Sequence, residues 1–250
     1  MDLEQVAPIR VFQKISGAIQ DFESQEAASC RLLSRNGVLA MMSRFPLAAA
    51  LALAAAPLYA ATYTFEPQHT QGVLTWNHLG FANPTAQFNT VEGTLEFDQS
   101  DPTHASVMVK IPLVSMSTGV PELNDDFRST DFFDFAKFPV ATFKSTRVEI
   151  GAGPTALRVI GELSVHGLVK PVVLDVNVNK IGVNPRNNVP TVGFEAQATL
   201  NRADFGLGLY VPQVSDEIRV HITAEAAEKN AYEQYLKAQA AREAAKKAKQ

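Results

Sequence analysis

Histidine is the side chain best suited to proton transfer or metal binding near neutral pH, and the chain has five of them. No two lie four residues apart, as two ligands on one helix face would, and neither a cysteine nor a group of carboxylates accompanies them. The sequence therefore predicts no metal site and no catalytic residue. The five are His69, His78, His104, His166 and His221.

His78 differs from the other histidines because it shares one strand face with Leu74 and Trp76, which predicts that the imidazole points inward. His221, by contrast, alternates with Val220 and Ile222 along its strand, which predicts that its side chain points to the solvent face. Three roles for His78 stay open at this stage. They are a buried histidine satisfied by hydrogen bonds, a polar contact inside a ligand cavity, and a metal ligand.

Two further motifs point to chemistry that the chain cannot perform. Residues 151–156 (GAGPTA) match a dinucleotide fingerprint, but a strand follows them instead of the helix that would bind pyrophosphate. Four aspartates between 125 and 134 lack the spacing of an EF-hand and predict solvated or helix-capping side chains. No cofactor is expected.

The strands that must position His78 are predicted from the alternation of apolar and polar residues along the sequence. Such alternation is typical of strands with one buried face. With turn residues between segments and no helical crossovers, this pattern predicts an all-β fold, an eight-stranded antiparallel barrel or sandwich. One change of phase occurs between Ser145 and Val148. The segments are 74–78, 91–97, 107–111, 141–150, 157–165, 172–178, 192–200 and 218–224.

The long segment 117–139 interrupts the strands, and its part 123–138 predicts one or two short helices. Loops of this length are commonly functional, and its dense phenylalanines predict a lid of aromatic rings over the barrel mouth. Gly93 and Gly161 fall on inward faces, where we expect them to leave room for one slender ligand.

The termini differ from the barrel in composition. Residues 41–60 have the basic start, apolar run and small-residue exit of a signal peptide cleaved after Ala60, and we expect residues 1–40 to be an upstream extension. The barrel domain then spans 61–226, and residues 227–250 form an Ala/Lys-rich tail of helix-forming composition. Cys30 precedes the predicted cleavage site, so the exported chain would contain no cysteine.

Charge separates barrel and tail. Residues 62–227 carry 11 basic and 18 acidic side chains, whereas residues 228–250 carry 6 basic and 3 acidic ones. The net charge of −4 gives no electrostatic footprint for nucleic acid, which is therefore not an expected partner. The basic tail leaves open a weak membrane-surface contact. Nothing in the sequence indicates an oligomeric state.

Six segments together resemble the signature of the YceI-like family, over residues 62–226. The resemblance implies an extended lipocalin-like barrel, located in the periplasm, that holds a long isoprenoid or similar lipid and has no established catalysis. The basic tail extends past the usual end of the family. The segments are 77–80 (NHLG), 91–98 (VEGTLEFD), 123–134 (LNDDFRSTDFFD), 136–143 (AKFPVATF), 161–172 (GELSVHGLVKPV) and 202–206 (RADFG).

We therefore expect an exported carrier whose ligand is an isoprenoid quinone, a polyprenyl lipid or another long-chain lipid. An enzyme acting on a lipid-like substrate, with His78 as acid or base, and a stress-related module with a packed barrel remain alternatives. The expected ligand-binding residues are Leu74, Trp76, His78, Phe81, Phe97, Phe127, Phe132, Phe133, Phe143, Val159 and Phe194.

Overall fold

A computed structural model describes residues 60–249 of the chain. The predicted extension 1–40 and, apart from Ala60, the predicted signal peptide 41–60 lie outside the described residues. Within residues 60–249, no helix is long and apolar enough to cross a membrane.

Eleven strands and two α-helices make up the described part, with single 3-10 turns at Pro102–His104, Leu113–Ser115 and Arg202–Phe205. The helices are α1 (Pro121–Arg128) and α2 (Lys229–Lys247). The strands are β1 (Ala61–Phe65), β2 (Gln71–Thr75), β3 (Thr85–Phe88), β4 (Glu92–Phe97), β5 (Ser106–Pro112), β6 (Met116–Ser117), β7 (Val140–Ile150), β8 (Ala156–Val165), β9 (Leu168–Val183), β10 (Pro190–Asn201) and β11 (Glu217–Glu228).

Eight of the strands close into an antiparallel ring in the order β1-β4-β5-β7-β8-β9-β10-β11, because β11 pairs back with β1. The predicted eight-stranded barrel is thus confirmed. The predicted first strand, 74–78, overlaps β2 only at Leu74 and Thr75, and β2 is not one of the eight ring strands. It pairs with the same edge of β11 as β1 does, but with the other half of that edge. The short strands β3 and β6 continue the wall from β2.

The predicted inward faces are confirmed along the ring, since the apolar side chains of β4, β5, β7, β8, β9, β10 and β11 point to a common interior. The predicted change of phase in β7 is a β-bulge between Ser145 and Arg147, where β7 has an extra residue opposite β8. Ser145 is buried there, and its hydroxyl accepts a hydrogen bond of 2.9 Å from the Val107 amide. The bulge keeps Val148 buried inside the barrel.

The two ends of the barrel are named here the floor and the mouth. The floor is the end where β4, β7, β9 and β11 finish; the mouth is the end formed by the loops 77–84, 118–139, 166–167 and 202–216. At the floor, Val192 and Ala226 are fully buried, and the Phe97 ring meets Tyr63 and Phe194 edge-on at 6.3 and 6.0 Å. The floor is therefore packed by side chains of the strands themselves.

A two-residue turn, His166-Gly167, joins β8 to β9 at the mouth. Both residues have positive φ, 53° at His166 and 76° at Gly167, as the tight turns favoured in hairpins require. The turn also holds its surroundings, because His166 Nδ1 lies 3.1 Å from the Phe205 carbonyl oxygen and the Phe138 ring packs edge-on at 4.7 Å.

Helix α2 confirms the predicted helical extension. Its N-cap is Glu228, whose carboxylate accepts hydrogen bonds from the Asn230 and Ala231 amides at 3.1 and 2.7 Å. None of its residues is buried, and its only apolar pairing of rings is the stack of Tyr232 on Tyr235. The helix therefore leaves the floor of the barrel without adding to its core.

Candidate functional site

A cavity of about 710 Å³ occupies the interior of the ring and opens at the mouth. This volume lies within the range of pockets that enclose whole organic ligands. Aliphatic and aromatic side chains form nearly all of its wall, because each strand presents its inward face to it. The alternative hypothesis from the sequence, a module whose barrel is fully packed with side chains, is therefore wrong.

Ten of the eleven predicted site residues line this cavity. The exception is Phe81, whose side chain is 90% exposed. Alternation stops there because the chain reverses after His78, through positive φ at Leu79 and Gly80 and a 3.0 Å hydrogen bond from the Phe81 amide to the His78 carbonyl. The lining residues are Leu74, Trp76, His78, Phe97, Phe127, Phe132, Phe133, Phe143, Val159 and Phe194.

The predicted glycine gaps have a different role from the expected one. A Cβ atom on Gly161 would overlap the Phe143 ring, which lies across the glycine from the neighbouring strand. A Cβ atom on Gly93 would collide with the Met108 carbonyl oxygen and with Val109. Both glycines therefore let neighbouring groups approach closely, and neither opens the lumen.

Helix α1 forms part of the predicted lid. Leu123 and Phe127, one helical turn apart, pack against the cluster that contains Trp76. The Phe127 ring lies 5.6 Å from Trp76 and 5.4 and 5.8 Å from Phe132 and Phe133. These rings cover the mouth from one side.

His78 lies at the mouth and is exposed, although it borders the cavity. Its backbone bridges to Ala82 on one side and to Val214 on the other, which fixes it between two mouth loops. The interpretation of His78 as a buried structural histidine is therefore wrong. A polar contact at the cavity entrance stays a prediction.

Arg202 is a cavity residue that the sequence reasoning missed. Its guanidinium donates to the carbonyl oxygens of Ser215 at 2.8 Å, Val214 at 3.1 Å and Leu207. Partial burial lowers the pKa of Arg202, and the nearby Asp216 carboxylate acts in the opposite direction. The side chain thus fastens the loop of residues 207–215 and places a positive charge at the mouth.

The signal for Arg202 was present in the alternation of β10. Ala196, Ala198 and Leu200 point inward, and continuing this period by one step puts residue 202 on the same face. No comparable signal exists for Leu209 and Tyr210, which also line the cavity from an irregular loop. The Tyr210 ring lies 6.4 Å from Phe132, so this loop meets the lid.

Ionisable and apolar groups are thus separated along the cavity. The five ionisable side chains in its wall, among the described residues, are His78, Asp126, Asp131, Arg202 and Tyr210, all on mouth elements. Towards the floor, the wall consists of residues such as Phe97, Phe194 and Ala224. The arrangement suits an elongated molecule with an apolar body and a polar end.

Comparison with known proteins identifies relatives of the barrel. The YceI-like domain matches residues 63–226. A UPF0312 protein of Pseudomonas syringae pv. tomato is 34% identical over 179 residues, which cover 71% of this chain and 92% of the relative.

Two solved structures share the fold. BcnA of Burkholderia cenocepacia has a TM-score of 0.56 at 22% identity, covering 62% of this chain and 95% of its own. A polyisoprenoid binding domain from Saccharophagus degradans, implicated in plant cell wall breakdown, has a TM-score of 0.51 at 15% identity, covering 67% and 99%.

Proposed function

The chain belongs to the YceI-like family, and from that premise we propose that its barrel binds and carries a polyisoprenoid or another long-chain lipid. The observation that supports this most strongly is the cavity of about 710 Å³ with an apolar wall and ionisable groups only on mouth elements. The fold shared with a polyisoprenoid binding domain is consistent with it.

The free energy of such binding comes from removing hydrocarbon from water. Each buried methylene contributes about 0.8 kcal/mol, so a chain of many carbons binds tightly without a specific polar contact. The apolar floor therefore provides affinity, whereas a head group at the mouth provides orientation. In this arrangement the head group of a quinone or a polyprenyl lipid lies near His78 and Arg202, and its tail reaches towards Phe97.

The carrier is proposed to act in the periplasm after removal of residues 41–60. Strand β1 begins at Ala61, directly after the predicted cleavage site, so cleavage there would leave the ring complete. Sequencing the N-terminus of the exported protein tests this, with a start near Ala61 expected. A start at Met1 in the exported fraction would reject export through this signal.

Lipid carriage is tested by extracting the purified protein with organic solvent and identifying the extract by mass spectrometry. An intact long-chain lipid is the expected result, and an extract without lipid would contradict the proposal. Recovery of a chemically converted lipid would instead favour the alternative of an enzyme with His78 as acid or base. Trp76, the single tryptophan, lines the cavity and reports its occupancy by fluorescence.

Two neighbouring residues of β10 give a matched pair of variants. Ala198→Phe fills part of the lumen, because Ala198 borders the cavity, whereas Thr199→Phe adds the same ring to the outer, exposed face. We expect Ala198→Phe to carry several-fold less lipid than Thr199→Phe at a similar melting temperature. Equal lipid content in the two variants would show that the ligand does not occupy the lumen.

A further inference from the structure

An apolar rim of four residues, Leu79, Phe81, Leu209 and Tyr210, projects around the mouth. Their exposed fractions are 49%, 90%, 40% and 61%. Single exposed apolar residues are common on soluble proteins and need no explanation, but a group of large ones at the entrance of a cavity indicates an interaction surface.

The rim is built from two loops that are joined to each other. The Leu79 amide donates a 3.2 Å hydrogen bond to the Gln213 carbonyl, and His78 bridges to Val214. Val214 in turn donates to the Tyr210 carbonyl at 2.8 Å. These bonds hold the two pairs of rim residues in one surface.

The backbone of the rim is strained in a way that fixes its shape. Leu79 and Tyr210 have φ values of 56° and 67°, in the left-handed region that costs a non-glycine residue about 1–2 kcal/mol. At Leu79 this conformation reverses the chain, and the reversal directs the Phe81 side chain to solvent. The sequence thus keeps an unfavourable conformation while exposing a large ring.

The rim is continuous with the cavity, because Leu209 and Tyr210 also line its wall. An apolar chain that leaves the lumen would therefore pass along the rim before it reached water. The charged neighbours are mostly acidic: Asp126 and Asp131 lie in the cavity wall, and Asp216 accepts a 2.8 Å hydrogen bond from the Ala203 amide. Against these three carboxylates stands the Arg202 guanidinium, which is held by backbone carbonyl oxygens of the mouth loop. The negative charge of these carboxylates would repel an anionic lipid surface.

We propose that the rim docks the mouth onto an electrically neutral lipid bilayer, with Phe81 inserted among the lipids. The proposal rests on the proposed lipid-carrying function, since docking would let the ligand move between bilayer and lumen without crossing water. The occupant is a zwitterionic lipid surface, because apolar side chains supply the attraction and the acidic neighbours give none to anionic head groups.

Flotation of the full-length exported protein with phosphatidylcholine vesicles tests the proposal. Neutral vesicles are chosen because the basic helix α2 at the floor would add its own attraction to anionic lipid. We expect the unaltered protein to float and Phe81→Ser to float about tenfold less, as the transfer free energy of one phenylalanine implies.

The matched control is Ile150→Ser, which removes a 60% exposed apolar side chain at the floor and should leave flotation unchanged. Both variants should keep their melting temperatures, because neither side chain is buried. Absence of flotation by the unaltered protein, or equal flotation by all three proteins, would overturn the docking proposal. Lipid extraction keeps the two proposals apart, since Phe81→Ser should still contain lipid.

Discussion

The floor and the mouth of this barrel are built on the same strands but closed by different means. At the floor, inward side chains of neighbouring strands fill the lumen, and Val192 and Ala226 are fully buried. At the mouth, the closing groups are phenylalanines of helix α1 and of the loop that follows it, and none of Phe127, Phe132 and Phe133 is buried. Strand residues thus make the stable end, whereas loop residues make the accessible end.

This difference separates stability from binding along one axis. Groups at the floor contribute mainly to the free energy of unfolding, because their contacts exist without ligand. Groups at the mouth should contribute mainly to the free energy of ligand binding, because they are partly exposed and form additional contacts only when a ligand is bound. Substitutions at the two ends should therefore be distinguishable by comparing melting temperature with lipid affinity.

The largest effect is expected for Val192→Asp. The fully buried side chain would become an unpaired carboxylate at the floor, at a cost of about 4 kcal/mol or more, enough to unfold most of the protein. Thr199→Asp, on the outer face of the same strand β10 and opposite Arg219, is the control. Circular dichroism during heating measures both, and similar melting of the two would refute the assignment of inward faces.

A second test compares one ring from each end. Phe97→Ala should cost about 3 kcal/mol of unfolding free energy, because the ring is 4% exposed and packs on Tyr63 and Phe194. Phe132→Ala should cost under about 1 kcal/mol, since its ring is partly exposed, while weakening lipid binding. Urea unfolding measures the loss of stability and lipid titration the loss of affinity for both variants. A larger loss of stability in Phe132→Ala than in Phe97→Ala would contradict the prediction.

A smaller effect is expected for His78→Ala. Because His78 is exposed, its loss should leave the melting temperature unchanged. A hydrogen bond to a lipid head group would be worth about 1 kcal/mol, so lipid affinity should fall several-fold while the tail stays bound. Should the variant match the parent protein in affinity, His78 has no part in the site.

The smallest expected effect is a loss of stability at alkaline pH that depends on Tyr63. Burial, reinforced by the Glu228 carboxylate, raises the pKa of Tyr63 at the floor. The unfolded chain therefore releases this proton first, at about pH 10, so the contribution of Tyr63 is complete below that pH and is lost as the pH rises through the folded pKa.

Replacing Tyr63 by Phe should accordingly reduce the loss of stability between pH 8 and about pH 11. The control is Tyr210→Phe, which changes the same group at the exposed rim. Urea midpoints at the two pH values measure the effect. An identical alkaline loss in the parent protein and in Tyr63→Phe would place the proton release elsewhere.

The sequence predicted the interior of the barrel well because a period of two assigns side chains to faces whatever strand lies alongside. Val159 and Phe194 were placed correctly for that reason, and the bulge after Ser145 appeared as a change of phase. The periodicity says nothing about where a face ends. Phe81 was misplaced because the chain turns at Leu79.

The sequence also could not show which distant segments lie next to each other in the sheet. Strand β6 has only two residues, too few for alternation to stand out. The role of Gly161 was misjudged because it depends on the Phe143 ring of the neighbouring strand. Arg202 was overlooked because the apolar alternation of β10 ends at Leu200, although the same period places residue 202 on the inward face.

Closure of the ring by β1 and β11 has a consequence for the order in which the chain folds. Tyr63 pairs with Glu228, so nearly the whole barrel sequence separates the two partners of the final seam. Contacts of such high sequence separation form late and make folding slow. During synthesis from the N-terminus, one edge of β1 stays unpaired until β11 has emerged, and an unpaired strand edge is a site of aggregation.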